Sequence, residues 1–208
     1  MQHSELFNFN DVSSFYYTSS QLSRIQSVQI GIAGAGGLGS NCALALVRSG
    51  FVNFVIADFD KVSLSNLNRQ QYFPDDIGKY KVECLEKLIR KINPSAKCLI
   101  YNDRITKENA TDVFFKCQCI VEAFDNAESK AMLAEEFIAS DRLLVSVSGL
   151  GGYGMTDRII TRKVRDNFYL VGDGVSEVGE NNKPFAPCVM IAAAKQADVV
   201  LEWVLESK

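Results

Sequence analysis

The sequence predicts an α/β fold: a doubly wound, mainly parallel sheet with helices on both faces, extended by C-terminal antiparallel strands and a terminal helix. Three observations carry that expectation. Short β-branched apolar runs alternate with longer amphipathic stretches, the pattern of successive strand–helix units in a parallel sheet. A glycine-rich turn joins the first run to the first amphipathic stretch. After Val147 the alternation stops, and glycines, further strand-like runs and one Ala-rich segment take its place.

Taken in order, residues 1–27 read as a short helical preface. Val28–Ala33, Val52–Ala57, Lys97–Tyr101, Cys117–Ala123 and Leu143–Val147 read as strands. Between them, Leu38–Ser49, Lys79–Ile92, Lys107–Phe115 and Ala127–Ile138 read as helices, from their apolar spacing and their Gly, Asn or Pro punctuation. Gly149, Gly151, Gly152 and Gly154 then break the chain, and Arg158–Val164 and Phe168–Val171 read as added antiparallel strands. Gly172–Pro187 is polar and acidic, a long exposed loop of the kind that often serves function. Val189–Leu205 suits a buried or docking helix.

Composition narrows the chemistry. The 208 residues, 47% hydrophobic and 23% charged, suit one core and one soluble domain. No apolar run is long enough for a membrane span and no signal-peptide pattern opens the chain, so a cytoplasmic protein is expected. A net charge of −3 without a basic stripe argues against a general nucleic-acid binder. The six cysteines form no CxxC pair and read as free, mostly buried thiols, with no zinc site. Alternation within the Cys117–Ala123 run places Cys117 and Cys119 on the same face. The only histidine is His3, which excludes a mechanism built on an internal histidine.

Gly34-Ala-Gly36-Gly37-Leu-Gly39 follows the first strand and opens the first helix, as in Rossmann-like folds. Glycines there allow a tight turn and let backbone N–H groups approach a phosphate at the positive helix end. Asp58 lies 19 residues after Gly39 and closes the second strand run, where an acid can hold ribose hydroxyls. This pattern alone leaves NAD and ATP open. The chain is expected to form one domain over 1–208: preface 1–27, nucleotide-binding part 28–148, and an end, 149–208, of strands, loop and helix.

Further residues separate the two nucleotides: Asp58-Phe-Asp60-Lys-Val-Ser-Leu-Ser65-Asn66-Leu-Asn68-Arg69-Gln70, then Gly78-Lys79-Tyr-Lys81, then Asp125-Asn126. With the glycine turn, this order resembles the ThiF/MoeB/ubiquitin-activating superfamily over roughly Gln29 to Leu205, and its short, zinc-free ThiF members above all. The resemblance implies that Asp58 holds the ribose, that Asn66, Arg69 and Lys81 contact phosphates, that Asp125 engages Mg²⁺, and that Asn126 borders the nucleotide. Asp60, Ser65, Asn68 and Gln70 belong to the same motif. Arg69, Lys81 and Asp125 would then be catalytic, in ATP-dependent adenylation of a carrier protein's C-terminal glycine carboxylate. A carboxylate is already nucleophilic at neutral pH, so positioning and charge neutralisation replace a base.

Each residue also has a plainer reading: Arg69 as a surface ion pair, Lys81 as a solvated lysine, Asp125 as the N-cap of the following helix, Asp60 as a turn residue. Two departures stand out. Relatives carry a zinc-binding pair of CxxC motifs and an N-terminal segment that lends an arginine to the partner subunit; here only Arg24 is present, and it reads as a helix-surface residue. Cys188 reads as a packing residue. By resemblance the partner is a ThiS-like ubiquitin-like sulfur carrier ending in Gly-Gly, in thiamine biosynthesis, and the enzyme is a homodimer. The segment Gly149–Gly154 and the acidic loop with Asp173, Glu177 and Glu180 are expected to wall a channel for the carrier tail. The competing readings are a tRNA-modifying dehydratase of the same superfamily, an NAD(P)-dependent oxidoreductase and a non-catalytic nucleotide scaffold.

Overall fold

The computed structural model describes residues 9–180 and 182–206; His3 lies outside them. Two N-terminal helices, α1 (Phe9–Ser13) and α2 (Ser19–Ser27), precede the sheet. Thr18 starts α2 through a capping box with Gln21. The sheet then builds in strand–helix order: β1 (Gln29–Ala33), α3 (Gly37–Arg48), β2 (Asn53–Ala57), α4 (Lys81–Ile92), β3 (Lys97–Tyr101), α5 (Ala110–Val113), β4 (Cys119–Glu122), α6 (Ala127–Phe137) and β5 (Leu143–Val147). Beyond it come β6 (Ile160–Arg165), β7 (Phe168–Gly172) and the 21-residue α7 (Ala186–Glu206).

Seven strands form one sheet in the order β3-β2-β1-β4-β5-β7-β6. The expected α/β class is observed, with one refinement: β6 and β7 pair antiparallel, but β7 joins β5 in parallel, so only edge strand β6 reverses. Alternating side chains divide the core. Ile30, Ile32, Phe54, Ile56, Val121 and Val145 face α3, α4 and α7. Ala33, Val55, Ile120 and Leu144 face α5 and α6. Fully buried aromatic and aliphatic side chains on both faces supply the main driving force.

Two further expectations change. The helix read over Lys107–Phe115 shrinks to α5, because Thr106 and Asn109 close a turn before it and Phe114 leaves helical geometry after it. Cys117 and Cys119 lie on opposite faces: β4 begins only at Cys119, and Cys117 packs beside Gly31 on the α5–α6 side. All six cysteines are free. Burial raises the Cys117 thiol to about 12 and the Cys98 thiol, also pressed by Glu86, to about 12, so they act as packing groups. Among the described residues no helix is long and apolar enough to cross a membrane.

Candidate nucleotide site

The site gathers at the C-terminal edge of the parallel strands, where the order reverses between β1 and β4, the place where open α/β sheets leave a crevice. Gly34 leaves β1 with φ +101°, and its amide donates to Ala57 O at 2.8 Å, so the turn bends over the end of β2. Only glycine fits at position 39: an added Cβ would lie 1.8 Å from Gly34 O. Gly36 caps α3 without a side-chain acceptor, which leaves the first amides of that helix to whatever lies in front of them.

Asp58 stands just past β2 and braces this turn. Its two oxygens accept from Ala35 N at 2.7 Å and Asp60 N at 2.8 Å. Burial pushes its carboxyl up, against the opposing pull of Lys81 and those two N–H donors. Lys81, the first residue of α4, is buried rather than solvated, and its ammonium donates to Asp60 at 2.6 Å. Asp60, half-exposed, therefore does more than close a turn. Ser63, Ser65 and Asn66 form a tight 3-10 turn in which Asn66 Oδ1 accepts from Ser63 N.

Arg69 lies over Gly37, its side chain 3.4 Å from where a Cβ there would be. Its Nη1 donates to Ser65 O and Asn68 Oδ1, not to a carboxylate, so the ion-pair alternative finds no support. Asn68 also donates to Pro184 O, joining this motif to the loop before α7. Gln70 is buried beside Gly36, and its Oε1 has no partner.

Asp125 follows β4, next to the glycine turn: a Cβ added at Gly34 would lie 2.8 Å from Ala123 O and 3.3 Å from Phe124 N. The cap of α6 is Asn126, whose Oδ1 accepts from Ser129 N at 2.8 Å. Asp125 is exposed, with only a 3.5 Å contact from the Asn126 amide, so the N-cap reading of Asp125 fails and its carboxylate remains available. Among the described residues no group of three or more His, Cys, Asp or Glu could cage a metal. A lone carboxylate does suit Mg²⁺ arriving on a triphosphate, since that ion commonly takes one or two protein carboxylates plus phosphate and water.

Several supporting residues escaped the sequence reading. Tyr72, buried, donates its hydroxyl to Ala35 O at 2.6 Å and holds the glycine turn from behind. Asn41, inside α3, accepts from Gln71 at 2.6 Å and donates to Arg69 O at 2.9 Å. A polar residue inside an otherwise apolar helix was the available signal. Glu122, an acid ending an apolar strand, is fully buried.

The Gly172–Pro187 stretch is tied down. Gly152 N donates to Lys183 O, Asn182 packs on Gly151 and Gly152 and donates to Glu177 O, and Tyr153 stacks edge-on against Phe185. Asp173 anchors the start of the stretch by accepting from Val175 N and Ser176 N. Cys188 is 3% exposed in the core, and Arg24 donates to Leu205 O at the end of α7.

Over 138 residues the chain is 32% identical to the tRNA threonylcarbamoyladenosine dehydratase of Haemophilus influenzae, covering 65% of this chain and 53% of that protein. It is 39% identical over 95 residues to ubiquitin-like modifier-activating enzyme 5 of Aedes aegypti, covering 46% of this chain and 24% of the relative. The chain thus spans about half or less of the curated relatives it matches. The E. coli tRNA N6-threonylcarbamoyladenosine dehydratase TcdA in complex with ATP superposes with a TM-score of 0.86 at 20% identity, over 94% of this chain and 93% of that one. E. coli MccB with AMPCPP and MccA gives 0.70 at 19% identity, over 90% and 59%. Both structures share the fold. The sequence model of the ThiF family matches residues 11–207, and the chain belongs to that family.

Proposed function

We propose that the chain is an ATP-dependent adenylyltransferase acting on a carboxylate. The observation that carries this reading is the arrangement around the glycine turn. Asp58 braces the turn, Lys81 reaches Asp60 beside it, Arg69 lies over Gly37, and Asp125 follows the strand end that touches Gly34. In this reading the triphosphate lies on the first amides of α3, the ribose reaches Asp58, and Arg69 and Lys81 exchange their local partners for phosphate oxygens. Asp125 would hold the Mg²⁺ that accompanies the triphosphate, and that ion would supply charge neutralisation. One substrate carboxylate oxygen bonds to the α-phosphorus as the bond to pyrophosphate breaks, giving an acyl adenylate. No proton has to move, which suits a site with no histidine among the described residues.

For the substrate we infer a ubiquitin-like carrier of the ThiS kind, ending in Gly-Gly, with the chain acting as a homodimer. The glycine segment 149–154, stitched to the 172–187 stretch beside Asn68, offers a wall for an unbranched peptide tail. A second reading, a carboxylate carried on tRNA, draws on the name of the Haemophilus influenzae relative. Carrier-dependent exchange of labelled pyrophosphate into ATP tests both: several Gly-Gly-ended carriers against threonylcarbamoyladenosine-containing tRNA. Exchange with a carrier and none with tRNA is expected; exchange with tRNA alone overturns the carrier reading. Thermal shift with ATP–Mg²⁺ against NAD and NADP separates the oxidoreductase alternative. A ligand at about 100 times its Kd adds about 2.7 kcal/mol, and that gain is expected only for ATP.

A further inference from the structure

The end of β4 carries a buried ionic cluster that the adenylation chemistry does not use directly. Glu122 is fully buried, on the sheet face covered by α5 and α6. Its Oε1 accepts from Phe124 N at 2.7 Å and Lys130 Nζ at 3.1 Å. Its Oε2 accepts from Lys130 Nζ at 3.0 Å and from Ser146 Oγ at 2.5 Å. Its backbone carbonyl accepts from the buried Gln196 of α7 at 2.9 Å, and Gln196 also donates to Val145 O. One residue thereby joins β4, β5, α6 and α7 at the edge of the sheet where the site lies.

We propose that Glu122 is a positioning residue that fixes the backbone carrying Asp125. The bond from Phe124 N folds the chain back just after the strand, and Asn126, one residue past Asp125, is fixed by capping α6. Asp125 is therefore held on both sides while its own carboxylate stays exposed. A purely structural role would not need this chemistry. Elsewhere the contact between α6 and the sheet is apolar, through Leu133 and Phe137 on Ile120 and Leu144. A buried ion pair seldom holds elements together better than apolar groups of similar size. What the carboxylate adds is four directed acceptor contacts, all at the root of the Asp125 turn. Outer-sphere hydrogen bonds of this kind orient a metal ligand, and their loss typically weakens metal affinity by about ten- to a hundredfold.

The inference rests on the proposed role of Asp125, and two readouts keep the questions apart. In the double variant Glu122→Leu/Lys130→Met the charges go together and the volume stays, so the fold is expected to persist by thermal melting. Amide hydrogen exchange in the free protein should then speed up at least about tenfold at Phe124, whose amide loses its acceptor, with Ile32 and Val121 unchanged. An ATP analogue with a non-cleavable α–β linkage should bind wild type more tightly in Mg²⁺ than in EDTA. The double variant should lose that advantage by at least about tenfold while keeping its affinity in EDTA. Glu122→Gln, which retains an acceptor for Phe124 N, should fall between the two, and it decides on the same readouts if the double variant does not fold. Unchanged exchange, or an unchanged Mg²⁺ advantage, overturns the positioning role. An analogue that never binds wild type, or an Mg²⁺ advantage that survives Asp125→Ala, overturns the site reading instead, and amide exchange then still decides whether Glu122 fixes the turn.

Discussion

Two glycines of the same turn, Gly36 and Gly39, should fail for opposite reasons when changed to alanine. At Gly39 the new Cβ would sit 1.8 Å from Gly34 O and 2.9 Å from Gly34 C, both backbone atoms. Real Cβ atoms keep at least 3.0 Å, so the turn must open by 1.2 Å (3.0 − 1.8). Forcing an atom into a packed interior costs about 1–3 kcal/mol. For a chain of this length each kcal/mol is worth about 2–4 °C, so Gly39→Ala should melt about 2–12 °C lower. At Gly36 the nearest atom to an added Cβ is Gln70 Nε2 at 3.8 Å, an ordinary contact, and φ is −77°. Gly36→Ala should therefore fold with a change of about 1 kcal/mol or less, from the poorer cap. Its methyl group, however, would stand at the start of α3, where on the proposed reading a phosphate meets the helix amides. ATP affinity should fall at least about tenfold, equivalent to about 1.4 kcal/mol. Melting curves and calorimetric titration with ATP on both variants test the pair. Wild-type ATP affinity in Gly36→Ala would refute phosphate binding at this turn, and a wild-type melting temperature in Gly39→Ala would refute the packing argument.

Further outcomes follow from the other residues. Asp125→Ala should lower carrier-dependent pyrophosphate exchange by at least about a hundredfold while ATP binding in EDTA persists; retained exchange removes Asp125 from the chemistry. Cys188→Ala should leave adenylation intact, since the thiol lies in the core, and a fall of about a hundredfold would give it a chemical role. Shortening the 172–187 stretch should raise the KM for the carrier more than that for ATP; equal changes count against a peptide channel. Asp58 sets a pH dependence. Its folded pKa is raised, by burial first, so its contribution to stability is fully present below the unfolded carboxyl value and is lost as pH rises through the folded value. Acidification should thus remove ATP affinity, by protonating the group proposed to meet the ribose, while Asp58 itself favours the fold at low pH. Binding titrations across the carboxylate range should show a loss in wild type that is missing in Asp58→Asn.

What could be read from the sequence was local. The glycine turn and the Asp58–Gln70 and Asp125–Asn126 motifs are each contiguous in the chain, and the sheet brings their strand ends to one edge. The sequence misled where distant residues decide the outcome. The parallel pairing of β7 requires the chain to pass the sheet edge, lay down β6, and return between β5 and β6; two adjacent strand-like runs look alike whether both reverse or only one does. Cys117 and Cys119 show the same limit at one residue's resolution, because alternation holds only inside the strand and β4 starts after Cys117. The burial of Lys81 and Glu122, which composition ranks among surface residues, depends on partners 21 and 8 residues away.

Asp125 and Asn126 show why geometry has to arbitrate between function and local structure. Either residue can cap a helix, and the sequence alone lets the acid be spent that way. Because Asn126 takes the cap and Glu122 takes the Phe124 amide, the turn is held without drawing on the Asp125 carboxylate. A free carboxylate at this edge repels a triphosphate unless a cation intervenes. If Asp125 meets the nucleotide as proposed, affinity should depend on Mg²⁺ in wild type and far less so in Asp125→Ala, in which the acid is gone and the bare nucleotide should bind as well as, or better than, it does to wild type in EDTA. Weaker binding of ATP in EDTA after that substitution would mean that Asp125 attracts the nucleotide by some route other than a shared cation.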